Sequence, residues 1–526
     1  MPVNHLVAVP MLIAISTAIV TLLTKGAPRV QRGLSFLGVQ GYAASVAVLV
    51  TAVVPGNVLT YQLGAWPAPF GITLVADSLS VFMLAISATV AVPALVFSVR
   101  FVDEFGQRLS YHPLFHFMLV GVTGSFLTGD IFNLFVWFEV MLMSTYVLVV
   151  FYGGAEHTRA ALNYVVLNLV GSAVMLLAIG GLYATTGTLN MADIATRLAD
   201  PAAYGVDVAP VLGLSALLFV VFALKAGIVP FQFWVPAAYK AAPAPVTAML
   251  AGVVKKVGVY AIIRLYFGVF AAATVPVSLP GISGDSVLAF YGPVMFVLAT
   301  VSVVFGGVAA IGRDDLDGLL AYSSIGQIGF IILPLAIAAT IPDLRGIAIV
   351  AALVYTLNHA LAKALLFLVA GTVEEVAGTT DFHAVSGLSR VAPVVTGSFL
   401  VGGLALVGIP PFTGFFGKLF VFQTAVDAGS TGGLIVALFG AILTIMYISR
   451  AWNRGFWGEP TTATESIDPD PTEVAMLVVL ALAIVLLGVG FDPVYRFADA
   501  ASQAALDQQA YVDAVQLQVL SGGEHA

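Results

Sequence analysis

The sequence predicts an all-α polytopic membrane protein of about fourteen transmembrane helices, and three observations predict it. Hydrophobic residues make up 60% of the 526 and charged residues only 9%, with a mean hydropathy of +1.03, far from the composition of a soluble domain. Apolar runs of about 20 residues, enough to cross roughly 30 Å of hydrocarbon, recur along the whole chain. Lys and Arg gather on alternate connections between those runs, as the positive-inside rule requires. Cysteine is absent, which excludes disulfides, thiolate metal sites and iron-sulfur clusters held by this chain. Any redox chemistry therefore belongs to a partner. The net charge of -8 is carried mostly by loops and leaves no nucleic-acid footprint.

The spans fall near 3–24, 34–54, 74–99, 112–129, 131–152, 160–184, 209–235, 243–268, 287–310, 318–340, 345–371, 394–424, 431–453 and 474–491. The first run lacks a basic flank before it and a small-residue cleavage site after it, so it reads as a retained helix rather than a signal peptide. With both termini outside, the cytoplasmic connections hold Lys25, Arg29, Arg32, Arg100, Arg108, Arg159, Lys240, Arg313, Arg390, Arg450 and Arg454. The other face holds only Arg197, Arg345 and Arg496. This asymmetry predicts a multi-pass cell (plasma) membrane protein with outward termini. Beyond the last span, residues 493–522 intersperse Tyr495, Phe497, Ala500, Ala504, Tyr511, Val515 and Val519 with Asp499, Asp507 and Asp513. That pattern fits an amphipathic, partner-facing helix or an exposed tail equally well.

Two spans are interrupted. The seventh carries Gly227 and Pro230, and the twelfth carries Gly408, Pro410, Pro411, Gly414 and Gly417 in VGIPPFTGFFGKLF. Such breaks free backbone groups that only protein or water can satisfy inside a membrane. Proline kinks serving packing alone are the simpler reading, but a lysine lies within a turn or so of each break. Interruptions five helices apart point to an internal repeat, and because five is odd the second copy is inverted. The chain then divides into helices 1–3 (1–110), a first repeat of helices 4–8 (111–270), a second repeat of helices 9–13 (285–456), and helix 14 with the tail (470–526).

Six of the 20 Lys and Arg, namely Lys225, Lys255, Lys256, Arg264, Lys363 and Lys418, fall in or at the ends of apolar spans. Glu139 is the carboxylate placed deep in a span. A buried acid must be neutral, hydrated or paired, and an ion pair with Lys225 on the broken helix is favoured over a structural hydrogen bond to a neighbouring helix. Burial favours a neutral amine and a nearby carboxylate favours an ammonium, so a changing Glu139–Lys225 separation makes the lysine hold or release a proton. Lys256 and Lys418, with no acid near them in sequence, extend the path. His359 and Lys363 are four apart and share one helix face; histidine titrates near neutral pH and can relay a proton, although a hydrogen-bonded core histidine fits as well. No second histidine sits at matching depth, so no metal or haem is expected. Asp77 is read as the cap of the third span, and His112, His116, Asp130, His157, Lys240, Arg264 and His383 as boundary residues.

The segments WFE at Glu139, ALKAGIVPFQFWVPAAYKAAPAPV at Lys225, KVGVYAIIR from Lys256, AYSSIGQIGF, NHALAKALLFLVAG and PPFTGFFGKL follow one another along residues 70–455. This series resembles the antiporter-like membrane subunits of respiratory complex I and of Mrp-type sodium/proton antiporters, and most of all the D-type subunits of the Mrp branch. The resemblance implies fourteen core helices in two inverted five-helix repeats, a half-channel in each, and a polar axis between them. By motif it implies that Glu139 and Lys225 are the switching pair, Lys256 the bridging lysine, His359 a relay and Lys418 the terminal residue; Lys363 matches a lysine present in only part of the family. Gln327 stands where several relatives have a titrating histidine, leaving Ser323 and Ser324 as nearby hydroxyls. Tyr239 to Pro243 lack the histidine that many complex I members carry there.

The function so implied is proton translocation within a multisubunit Na+/H+ antiporter, by a transporter subunit that is not an enzyme and carries no cofactor. Its implied partners are Mrp subunits of the A, B, C, E, F and G types, protons, Na+ and the lipid bilayer. Two alternatives stay open: a proton-pumping subunit of complex I or a membrane-bound hydrogenase, and a membrane scaffold that transports nothing.

Overall fold

Apolar runs cut off from water must satisfy their backbone groups internally, and helices do so within one segment. The computed structural model describes residues 3–54, 56–279, 282–465 and 468–515. Its main helices are α1 (Val9–Leu23), α2 (Pro28–Val53), α3 (Ser78–Phe101), α4 (Tyr111–Leu127), α5 (Ile131–Val149), α6 (Ala155–Thr186), α7 (Val211–Ala226) and α8 (Trp234–Ala241). They continue with α9 (Ala244–Ala272, a composite), α10 (Val287–Ile311), α11 (Leu316–Thr340), α12 (Arg345–Ala377), α13 (Pro393–Val407) and α14 (Thr413–Asp427). The last are α15 (Thr431–Ala451), α16 (Pro471–Val489), α17 (Phe491–Leu506) and α18 (Gln508–Val515). Among the described residues eleven helices are long and apolar enough to cross a membrane. The fourth expected span is the 17-residue α4, and the seventh and twelfth are the split pairs α7/α8 and α13/α14.

Each break has a local cause. At the end of α7, Gly227 takes φ +70°, a left-handed conformation that glycine adopts without a Cβ penalty, and Pro230 lies before helix resumes at Trp234. At the end of α13, Gly408 takes φ +90°, and Pro410 and Pro411 precede the restart at Thr413. Gly414 permits the return, because a Cβ there would sit 1.7 Å from the Ala405 carbonyl oxygen. Asp77 caps α3 as expected, accepting the Ser80 backbone N–H at 2.9 Å.

α9 departs most from regular helix. Two π-helical turns, Leu250–Val254 and Ile263–Phe267, interrupt it, and the Lys255 N–H reaches back five residues to the Leu250 carbonyl at 3.2 Å. Such wide turns are rare and recur at functional positions. Here one immediately precedes Lys255 and Lys256.

The expectation of an all-α chain needs correction at two places. β1 (Leu59–Gln62) pairs antiparallel with β2 (Thr73–Ala76), Leu59 opposite Ala76, and β3 (Thr274–Leu279) pairs with β4 (Ile282–Ser286). Both are short hairpins in connections. The tail also differs: its apolar face is taken up by the chain itself rather than left for a partner or for water. Phe497 packs against Phe82 at 5.0 Å between ring centroids, and Tyr511 and Val515 on α18 are buried. Val519 and Gly522 lie outside the described residues.

The connections sort onto two faces. Glu156, Lys240, Arg313 and Thr380, from four odd-numbered connections or their edges, line one cavity. On the other face, Thr60 and Gln62 of β1 donate to the Ala514 and Val515 carbonyls at 3.2 and 3.3 Å, and His5 packs on Tyr61 at 5.4 Å. Both described ends of the chain therefore meet beside β1.

Candidate functional site

The broken helices and the π-turned α9 place basic side chains in the protein interior. At the α7 end, Lys225 is 1% exposed and its Nζ donates to the Tyr164 hydroxyl at 3.5 Å. Tyr164 is held in turn by Thr145 at 3.1 Å and by stacking on Trp234, centroids 4.9 Å apart. Glu139, half-buried on α5, accepts the Ser172 hydroxyl of α6. The expected Glu139–Lys225 ion pair is thus not formed in this structure: each group has a hydroxyl partner of its own.

The middle of the row is tighter. The wide turn at Leu250–Val254 lets two consecutive lysines both face polar groups. Lys255 Nζ donates to the Ser324 carbonyl at 3.1 Å, whereas Lys256 Nζ lies 2.6 Å from His359 Nδ1 and donates to the Ala251 carbonyl at 3.0 Å. One turn along α12, Lys363 Nζ donates to the Leu320 carbonyl at 2.9 Å and the Ser323 hydroxyl at 2.5 Å. His359 Nε2 is buried with no hydrogen-bond partner among the described residues.

At the second break, Lys418 donates to the Val407 carbonyl at 3.1 Å, the last residue of α13, and lies 4.9 Å from the centre of the Phe330 ring. A helix that stops early leaves carbonyls without intrahelical partners, and an amine at such an end also meets the negative pole of the helix dipole. Gln327 crosslinks the same region, donating to Thr444 at 3.0 Å and Tyr447 at 2.6 Å while accepting from Tyr355.

Among the described residues no carboxylate forms an ion pair with Lys225, Lys255, Lys256, Lys363 or Lys418. Two unit charges 2.6 Å apart, the Lys256–His359 separation, repel by about 6 kcal/mol at an effective dielectric near 20. The two cannot both be protonated, so any proton there is shared or passed on. Sequence reasoning gave Lys255 no role, because helical periodicity turns neighbouring residues apart and the π turn leaves no clear mark in the sequence.

Four of the expected boundary residues, His112, His116, Asp130 and Arg264, are instead buried. The Ser35 hydroxyl bridges His112 Nδ1 at 3.0 Å and His116 Nε2 at 2.8 Å. Arg264 Nη2 lies 2.6 Å from both carboxylate oxygens of Asp77, under the Tyr511 ring at 5.0 Å. Asp130 caps α5 at 2.7 Å through Asn133 N–H. His157, Lys240 and His383 stay at the surface or its edge.

Residues 128–444 match the family described as NADH:quinone oxidoreductase/Mrp antiporter, TM. The chain belongs to that family. Within it, the chain is 32% identical to the D-type subunit of the Na(+)/H(+) antiporter of Alkalihalophilus pseudofirmus, over 97% of this chain and 99% of the relative. Its fold matches a chain of the Mrp complex from Dietzia sp. with a TM-score of 0.84 at 27% identity, covering 98% of each. A chain of the membrane-bound sulfane sulfur reductase, an archaeal respiratory membrane complex, matches with a TM-score of 0.87 at 27% identity, covering 97% and 99%. Members of the family are membrane subunits of the antiporter type, and this chain is a multi-pass example. The family match spans Glu139 to His359 and Lys418, from the first break to the second.

Proposed function

We propose that this chain translocates protons within a multisubunit Na+/H+ antiporter, through the buried row from Glu139 and Lys225 past Lys255, Lys256, His359 and Lys363 to Lys418. The observation that carries the reading is the cluster of four buried bases at mid-row with no carboxylate paired to them among the described residues. Bases so placed are poor structural elements, because burying a charge without a counter-charge is strongly unfavourable. They suit a device in which one proton moves among several neutral amines.

In this reading Glu139 and Lys225 form the switch. With Glu139 on Ser172 and Lys225 on Tyr164 the two are separated; bringing them together stabilises the ammonium, and separating them again returns its proton to the row. Lys256 and His359 hand the proton across the two repeats, residues 111–270 and 285–456, which relate as inverted copies of five helices within fourteen spans. Lys418 delivers it at the second break. The partners are the other Mrp subunits, of the A, B, C, E, F and G types, in the cell membrane, with both termini of this chain outside. Its fold likeness to a chain of an archaeal respiratory membrane complex favours one second reading, in which redox chemistry in partner subunits drives the same row.

The test uses the complete complex in everted vesicles. Glu139→Ala and Lys225→Ala each abolish Na+-dependent proton movement while the complex stays assembled; exchange near the wild-type rate in both variants sinks the proposal. Subunits that co-purify with the chain separate antiport from redox drive.

A further inference from the structure

A cavity of about 710 Å³ opens on the face of the odd-numbered connections, between the start of α6, α8, the start of α11 and the end of α12. Six carboxyl groups line it against three of Lys and Arg, so its field attracts cations. At its inner end Asp317 accepts the Thr380 hydroxyl at 2.7 Å. The charged groups acting on Asp317 are Asp315 at the cap of its own helix, Glu374 from α12 and Lys240 from α8. Along α11 the next residues inward are those that hold the lysines. The Leu320 carbonyl, one turn on, and the Ser323 hydroxyl oxygen both accept from Lys363, and the Ser324 carbonyl accepts from Lys255. Two mid-row amines are therefore tied to the helix whose first turn borders an acidic, open cavity.

We infer that this cavity is a cation-collecting vestibule through which protons reach the row at Lys363, with Asp317 as the last carboxylate before the amine. The inference rests on the proton path proposed above and adds an access point to it, at the seam between the two repeats rather than at either break. The transfer balances simply. Asp317 takes a proton from water in the cavity and yields it inward through water to the Ser323 oxygen, while the Ser323 O–H proton passes to neutral Lys363. One proton has moved, the serine is unchanged, and Lys363 is an ammonium ready to pass it on.

The chain has no cysteine, so Asp317→Cys and Lys240→Cys each introduce a single thiol into it. In vesicles holding the complete complex, we expect the thiol at 317 to be modified from one face only. That face is the one from which a thiol at the exposed position 240 reacts, and a cationic methanethiosulfonate should react there roughly ten-fold faster than an anionic one. A buried control, Ala321→Cys, should stay unmodified, with the mass of the intact chain as readout. In parallel, Asp317→Asn should slow exchange several-fold and Asp317→Glu should restore it. Absence of labelling at 317, labelling from the opposite face, or wild-type exchange in Asp317→Asn would each overturn the inference. If Glu139→Ala and Lys225→Ala leave exchange intact while 317 is still labelled from the expected face, the proton path fails and the vestibule does not.

Discussion

Two arrangements of buried charge lie on α9, at opposite ends of its polar face, and they follow opposite rules. Near the hairpin face, Arg264 is 3% exposed and is matched to Asp77, itself 1% exposed, by two contacts of 2.6 Å, with the Tyr260 and Tyr511 rings close by. Two turns away, Lys255 and Lys256 are equally buried but meet only carbonyls and a histidine ring. The first arrangement is a closed pair: arginine does not release its proton in proteins, and the carboxylate fixes it in place. The second is an excess of bases with one proton's worth of room. Burial alone therefore does not mark a transport residue; the absence of a matching counter-charge does.

The contrast breaks most visibly at Arg264. Arg264→Ala leaves Asp77 buried and unpaired, a loss of about 3–5 kcal/mol, and we expect little folded chain in the membrane, measured as monodisperse complex after mild extraction. Asp77→Ala combined with Arg264→Ala should recover part of it, because the stranded charge is gone. Lys363→Met should behave in the opposite way: assembly and thermal stability within about 1 kcal/mol of wild type or better, since an unmatched base is replaced by an apolar side chain of similar length, but exchange reduced at least about ten-fold. A Lys363→Met complex that exchanges normally would remove that residue from the path.

Lys418→Ala sharpens the difference between the two breaks. Its amine rests on one carbonyl and one aromatic face, so its loss is expected to slow exchange a few-fold while leaving assembly unchanged. The smallest effect concerns Asp130, just outside α5, whose burial pushes its carboxyl up to about 6. The folded state then holds that proton more firmly than the unfolded chain, so the site adds stability at acid pH and loses it as the pH rises from about 4 to about 6. Asp130→Asn keeps a good cap and should flatten that part of the stability profile, read as melting temperature against pH.

The sequence was most informative where composition dictates physics. Long apolar runs can only be helices in hydrocarbon, and Gly227 with Pro230, or Gly408 with Pro410 and Pro411, can only interrupt them. Asp77 was legible as a cap because it directly precedes an apolar run. Its second role, as the partner of Arg264, was not, because that contact joins residues 187 apart. The π turns of α9 leave no periodic signature, so the simultaneous inward aim of Lys255 and Lys256 was hidden. The hairpins and the self-packing of the tail lie in polar connections, where periodicity carries little signal. In the sequence Asp317 is one acid of the charged stretch RDDLD; only the fold shows that the helix it opens also holds Lys363.

In the proposed path the mid-row bases work by titrating, not merely by being basic. Lys256→Arg tests it most directly, since arginine keeps the charge and the hydrogen-bonding capacity but does not give up a proton at working pH. In everted vesicles holding an assembled complex, Lys256→Arg is expected to lose nearly all Na+-dependent proton movement. Exchange close to wild type with arginine at position 256 would contradict it.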